Sequence, residues 1–337
     1  MTAPLHPDRV LFQGERPYPY LPACDHYAGT EKLILKSLAL QRQMGPVFDV
    51  TCDCEDGAPA GREREHAQLV ASLIASAENA HGRVGVRIHD ISHPHWRHDL
   101  EIILGGAGDR LAFITLPKAT SAAEVAAMSA AAADIATASG LKRHIPIHAL
   151  VETHGALREA YQIASLPDVE CIDFGLMDFV SAHHSAIPGA AMKSPGQFEH
   201  PLVVRAKCEI AAAAHAAGVV AAHNVTTELH DLGVVREDAR RARHEFGFLR
   251  MWSIHPDQIR PIVESMQPDF AEAQEAADIL LAAGAAAWGP IRHGGRLHDR
   301  ASYRYYWSLL QRARVTGLDI PAAAQQAFFA TDAAAQD

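Results

Sequence analysis

His144-Ile145-Pro146-Ile147-His148-Ala149-Leu150-Val151 runs into Glu152-Thr153-His154-Gly155, and after a short helix-like segment Val169-Glu170-Cys171-Ile172-Asp173-Phe174-Gly175 runs on to Asp178. Each apolar run has the length of a strand and stops at a carboxylate. Strands that alternate with helices form parallel sheets or barrels, and such folds gather their working groups at the carboxyl ends of the strands. Glu152 and Asp178 are therefore expected on neighbouring strand ends. Two oxygen donors with no Cys or His ligand immediately beside them suit a hard divalent cation, magnesium or manganese in its place, which keeps coordination positions for water or substrate oxygens. The bland alternative is that both are helix N-cap or loop carboxylates.

Working outward, Tyr18 to Cys24, Val47 to Cys52, Val84 to Ile88 and Leu111 to Leu116 read as the four preceding strands. Val219 to Ala222 and Leu249 to Ile254 read as the two that follow. Helical spacing begins at Thr30, at Glu63, at Ser121 and at Leu202, and the alanine-rich stretch from Ser121 to Ser139 keeps one apolar face through Val125, Met128 and Ile135. Eight strands alternating with helices predict an α/β fold, a (β/α)8 TIM barrel over residues 1–265. No Gly-x-Gly-x-x-Gly follows any strand, which removes the main reason to prefer a dinucleotide fold. Residues 266–337 read as a C-terminal helical extension suited to packing on a neighbouring subunit. Phe179 to Pro201 is too long for an idle connection and reads as a lid or ligand-binding loop.

The composition narrows the class. Of 337 residues, 30 are Lys or Arg and 40 are Asp or Glu, a formal charge of -10 that argues against a nucleic-acid partner. The 5 Cys are odd in number and sit within or beside apolar runs, as expected of reduced thiols in a cytoplasmic protein. The start of the chain shows no basic segment followed by an apolar one, and no apolar run reaches membrane-spanning length, so no membrane partner is expected.

On the barrel reading, Asp53, Glu55, Asp56, Arg87, Lys118, Glu152, Asp178, His223 and His255 share one rim. Carboxylates gathered so closely repel one another unless a cation is present. Arg87 leaves an otherwise apolar strand, and its guanidinium needs an anion: a rim carboxylate, or the carboxylate of a substrate gripped by two parallel hydrogen bonds. Cys52 and Cys54 face one way but lack a second Cys pair, which disfavours structural zinc. The run His93-Pro94-His95-Trp96-Arg97-His98 suits a solvated turn entering a helix better than a metal site. His183-His184 lies in the expected lid.

In order along the chain, Asp53-Cys54-Glu55-Asp56, Val86-Arg87-Ile88-His89, Pro117-Lys118, Val151-Glu152-Thr153, Phe174-Gly175-Leu176-Met177-Asp178, Ile254-His255-Pro256-Asp257-Gln258 and Gly295-Arg296-Leu297-His298-Asp299 resemble the motifs of citrate lyase beta subunit-like proteins. Those proteins belong with the malyl-CoA and citramalyl-CoA lyases and the keto-acid aldolases. The resemblance implies a homo-oligomeric enzyme, trimer or hexamer, that makes or cleaves a carbon-carbon bond beside a CoA thioester or in a keto acid. It implies magnesium held by Glu152 and Asp178, and Arg87 on the acid's carboxylate with Lys118, Asp53 and His255 lining the substrate. Glu55 and Asp56 would orient metal-bound water, and Asp299, brought by a neighbouring chain, would transfer a proton at the enolate carbon. Alternatives within the resemblance are a CoA-independent aldolase of pyruvate or another 2-keto acid, a thioester hydrolase and a carrier-dependent lyase subunit. There are departures: Arg250-Met251 replace the family's Gly-Lys, His223-Asn224 its Asp after the seventh strand, and Leu21-Pro22-Ala23 its Val-Pro-Gly. All three fall where CoA or a carrier would bind.

Overall fold

A computed structural model describes residues 5–13 and 15–330; the first four residues of the chain, Gly14 and residues 331–337 lie outside the described residues. Eight parallel strands close into a barrel in chain order: β1 (Cys24–Ala28), β2 (Phe48–Asp53), β3 (Val84–Arg87), β4 (Leu111–Leu116), β5 (Ile147–Val151), β6 (Val169–Phe174), β7 (Val220–His223) and β8 (Arg250–Ser253). Closure runs through β1 and β8, with Cys24 opposite Met251. The expected (β/α)8 barrel with C-terminal helices is the architecture found.

Alternation along each strand separates two environments. Outward side chains such as Phe48, Val50, Ile147, Ala149, Val151 and Ile172 join Ile34, Val70, Ile103, Met128, Ile163 and Ile210 of the surrounding helices in one continuous apolar layer. The inward side is unusually polar for a packed barrel, with Asp25, Asp49, Thr51, His148, Asp173 and Arg250 all fully buried. Arg250 closes the amino-terminal end. Its Nη1 donates to Asp49 Oδ2 at 2.6 Å and to the Pro22 carbonyl at 3.0 Å, and Nη2 lies 2.9 Å from Asp25 Oδ2. A buried guanidinium is tolerable only when paired in this way.

Helix boundaries follow local chemistry. The Thr30 hydroxyl accepts from Leu33 N and the Ser121 hydroxyl from Glu124 N, each capping a helix start. The helix Pro201–Ala217 stops at Gly218, whose φ of 68° a side chain would resist.

The described residues up to Tyr20 and from Gln267 onward form a second compact unit. It contains the helices Pro7–Leu11, Phe270–Ala285, Arg300–Val315 and Ala322–Phe328 and a small hairpin, Ile291–His293 with Arg296–His298. Trp307 is fully buried at its centre. Its ring stacks on Phe329 and meets His6 edge-on, each at 5.3 Å, and its Nε1 donates to Asp8 at 2.6 Å.

Some local expectations change. The first strand lies at Cys24–Ala28 rather than Tyr18 to Cys24, because Asp25 is satisfied inside the barrel by the Thr51 hydroxyl at 2.7 Å and by Arg250, so a polar stretch can be a strand. Earlier in the chain lies the helix Pro7–Leu11, started by a proline at its first position. The expected lid is anchored, with Phe198 and Gln197 buried near its end. Among the described residues, no helix is long and apolar enough to cross a membrane.

Candidate active site at the carboxyl rim

Asp53 ends β2 and Arg87 ends β3, in register with each other. Arg87 Nε and Nη2 donate to the two oxygens of Asp53 at 2.8 and 2.5 Å, and Nη1 lies 2.9 Å from Glu55 Oε2. Of the two anions considered for Arg87, the rim carboxylates are the ones found, engaging Nε, Nη2 and Nη1. Burial would raise the Asp53 carboxyl, but the guanidinium outweighs it and holds the group below the usual carboxylate range. The same carboxylate accepts from Glu55 N at 3.0 Å and Gly57 N at 2.9 Å, which fixes the loop after β2. Glu55 is shifted the other way, raised by burial against the pull of Arg87 and Lys118.

Lys118 follows β4 in a left-handed backbone conformation, φ 50°, uncommon for a residue with a side chain. Its Nζ reaches Glu55 at 2.5 Å and both oxygens of Asp56, at 3.0 and 2.8 Å. Its backbone N–H donates to Glu152 Oε1 at 2.7 Å. Glu152 stands at the end of β5, buried, and its other oxygen lies against Gly175, where an added Cβ would come within 2.1 Å of Oε2. Asp178, half-buried, sits in the first turn of the short helix Leu176–Ser181 after β6. Burial and then the Asp178 carboxylate push the Glu152 carboxyl up to about 8. A carboxyl raised in this way by a neighbouring carboxylate, both of hard oxygen, fits a divalent cation, which would remove the repulsion.

Below this cluster lies an aromatic floor that sequence reasoning missed. The Arg87 guanidinium sits 5.3 Å over the Tyr27 ring, Tyr27 stacks on Trp252 at 4.4 Å, and Trp252 Nε1 donates to Asp173 Oδ1 at 2.7 Å. Inward alternation along β1 and β8 was the available signal, and the misplaced first strand hid it.

Other rim residues stand apart. His255, half-buried after β8, accepts from Asp257 N through Nδ1 at 3.3 Å, and its own N–H donates to Gln258 Oε1 at 3.3 Å. His223 is sealed: Nε2 accepts from Lys207 Nζ at 2.7 Å, its ring stacks on Phe198, and Lys207 also donates to Gln197 Oε1 at 3.0 Å. Asp299 belongs to the second unit, exposed, where its carboxylate caps the helix Arg300–Val315 by accepting from Ala301 N at 3.0 Å. The histidine run borders a cleft of about 200 Å³ beside Glu55 and Lys118. Within it His89 stacks on His93 and bonds Asp99 at 2.6 Å. Cys52 and Cys54 are core residues, and burial pushes the Cys52 thiol up to about 12. Four of the five cysteines are buried and Cys208 alone is exposed. Among the described residues, the His, Cys, Asp and Glu side chains close enough to share an ion in a group of three or more are His148, Cys171 and Asp173, deep in the barrel.

A closed parallel barrel with ionisable groups crowded at its carboxyl rim defines an enzyme of the (β/α)8 class. Residues 44–256 match the HpcH/HpaI aldolase/citrate lyase family, and the chain belongs to that family, whose chemistry is that of carbon-carbon lyases. It is 57% identical to a citrate lyase from Burkholderia xenovorans LB400 of known crystal structure, with a TM-score of 0.82 over 96% of this chain and 99% of that one. It is 27% identical over 280 residues to an L-malyl-CoA/beta-methylmalyl-CoA lyase of Cereibacter sphaeroides, covering 79% of this chain and 87% of that one. Its fold is also that of CitE from Mycobacterium tuberculosis, solved in complex with magnesium, acetoacetate and coenzyme A, at 21% identity and a TM-score of 0.63 over 87% of this chain and 98% of that one.

Proposed function

We propose that the chain is a magnesium-dependent lyase that cleaves or forms the carbon-carbon bond of a hydroxyacyl-CoA thioester through an enolate. The observation that carries this reading is the seating of Glu152, one oxygen on the Lys118 N–H and the other against Gly175, opposite Asp178. Glu152 and Asp178 would hold the ion, with manganese as a substitute. When bound, the ion supplies positive charge where negative charge develops on the acyl oxygen. Arg87, stiffened by Asp53 and Glu55, presents its remaining N–H groups to the substrate carboxylate. Lys118 holds Glu55 and Asp56 in place to orient water at the site, and His255 lines the approach. Asp299, on a neighbouring copy in a homo-oligomer, moves the proton at the enolate carbon. The malyl-CoA lyase relatives and the magnesium and coenzyme A bound to CitE support this substrate class.

One observation favours a second reading, an aldolase of pyruvate or another 2-keto acid. Met251 stands where the resemblance expects a Lys near CoA, and the cation beside it, Arg250, is consumed inside the barrel by Asp25 and Asp49. Thermal shift with magnesium plus either acetyl-CoA or pyruvate separates the two, since a ligand that binds the folded form raises its stability. Stabilisation by acetyl-CoA, and cleavage of malyl-CoA or β-methylmalyl-CoA lost in Glu152→Gln and Asp178→Asn, is the expected result. Stabilisation by pyruvate alone would replace the first reading with the second, and full turnover in either variant would dismiss the metal site.

A further inference from the structure

Beneath the rim, the inner faces of β5 and β6 bring a nitrogen, a sulfur and an oxygen ligand together. The candidate ligand atoms of His148, Cys171 and Asp173 all lie within 4.8 Å of one another, and all three residues are fully buried. Two of these side chains present an atom with no hydrogen-bond partner among the described residues: His148 Nδ1 and Asp173 Oδ2. Leaving such groups unmatched in a dry interior is unfavourable, because each gives up its hydrogen bond to water and receives none in return.

The opposite atom of each is firmly held. His148 Nε2 lies 3.0 Å from Glu170 Oε1, and because a carboxylate only accepts, this bond puts the ring proton on Nε2 and leaves the lone pair on Nδ1. The ring is clamped by Phe113, stacked at 3.9 Å and nearly parallel. Asp173 Oδ1 accepts from Trp252 Nε1 at 2.7 Å, turning Oδ2 away from that bond. A carboxylate behind the far nitrogen of a histidine and a donor behind the far oxygen of an aspartate are the supports that orient metal ligands. The charges agree. Arg250 is matched by Asp25 and Asp49, and Asp49 also pairs with Arg83, so the carboxylate of Asp173 and a thiolate at Cys171 would be left for a cation of charge two.

We infer that His148 Nδ1, Cys171 Sγ and Asp173 Oδ2 form a binding site for a borderline-soft divalent ion of the zinc class, buried in the barrel and separate from the rim pair. Nitrogen and thiolate ligands select zinc over magnesium, and a water can complete four-coordination. Binding releases the thiol proton to solvent and involves no change of oxidation state. Enclosed as it is, the site is loaded as the barrel closes and supports β5 and β6, the strands that carry Glu152 and lead to Asp178.

The test is elemental analysis of the full-length protein refolded with excess zinc and then dialysed. About one zinc per chain is expected, falling at least tenfold in Cys171→Ala and in His148→Ala, and persisting in Glu152→Gln, whose defect concerns the rim alone. Refolding with cobalt(II) should give a thiolate-to-cobalt charge-transfer band that Cys171→Ala lacks. Wild-type protein that retains no zinc, or zinc content unchanged by Cys171→Ala, overturns the inference. Should the variants fail to fold, the metal content and cobalt spectrum of the wild type decide alone.

Discussion

Gly175 gives the Glu152 carboxylate its room, and a methyl group there would collide with Oε2 at 2.1 Å. Gly175→Ala, whose methyl would also meet Glu152 Cβ at 2.5 Å, should displace Glu152 and lose magnesium affinity by at least tenfold, about 1.4 kcal/mol, measured by isothermal titration. Lys118 separates backbone from side chain in the same way. Lys118→Gly keeps the left-handed conformation at no steric cost and removes only the clamp on Glu55 and Asp56. Lys118→Val loses both, so metal affinity should fall further in Val than in Gly. Equal affinities would show that the backbone N–H to Glu152 contributes nothing. His26 offers a stability probe away from the ion. Its Nδ1 lies 2.8 Å from the Ser253 hydroxyl, and burial first, then the charge of His255, pushes it down to about 4. Between the unfolded value near 6.5 and that value, only the unfolded chain gains the proton, so stability falls as pH drops through this window and His26 contributes no further loss below it. On the order of 3 kcal/mol is at stake, and denaturant melts of His26→Gln should show a correspondingly flatter pH dependence from 6.5 to 4.

At the level of elements, the long connection before Pro201 is fixed through Gln197. Its amide donates to Asp238 Oδ2 at 3.0 Å and accepts from Lys207 Nζ, so it links a buried cation to a buried carboxylate. Gln197→Leu should cost about 2 kcal/mol in a denaturant melt by removing one buried partner from each, leaving Lys207 with His223 and Asp238 with the Ser194 hydroxyl. This network also shows where sequence reading stops. The eight-strand alternation, both rim carboxylates and the chain order of the motifs could be read from apolar runs ending in charged residues, because outward faces and strand ends obey local rules. The first strand could not, since Asp25 is acceptable in a strand only once Arg250 and Thr51, distant in sequence, are placed beside it. The same holds for His148, Cys171 and Asp173, whose meeting depends on the register of β5 against β6. Nor does local pattern reveal that His223 points at a lysine rather than at a ligand.

For the whole molecule, Asp299 is where the proposed chemistry depends on assembly. Its carboxylate already caps a helix, so Asp299→Ala mixes two losses, about 1 kcal/mol of stability and the proton carrier. Asp299→Ser keeps a capping hydroxyl and removes the acid, and it should melt within a few tenths of a kcal/mol of wild type while losing turnover. Mixing it with Glu152→Gln should restore part of the activity if Asp299 serves a neighbour's rim; no recovery would assign it to its own chain. The distribution of thiols has a practical consequence for such work. With Cys24, Cys52, Cys54 and Cys171 enclosed and Cys208 on the outer face of its helix, a maleimide dye should mark the native chain at a single address. Subunit exchange in these mixtures could then be followed by fluorescence transfer without engineering any new attachment point.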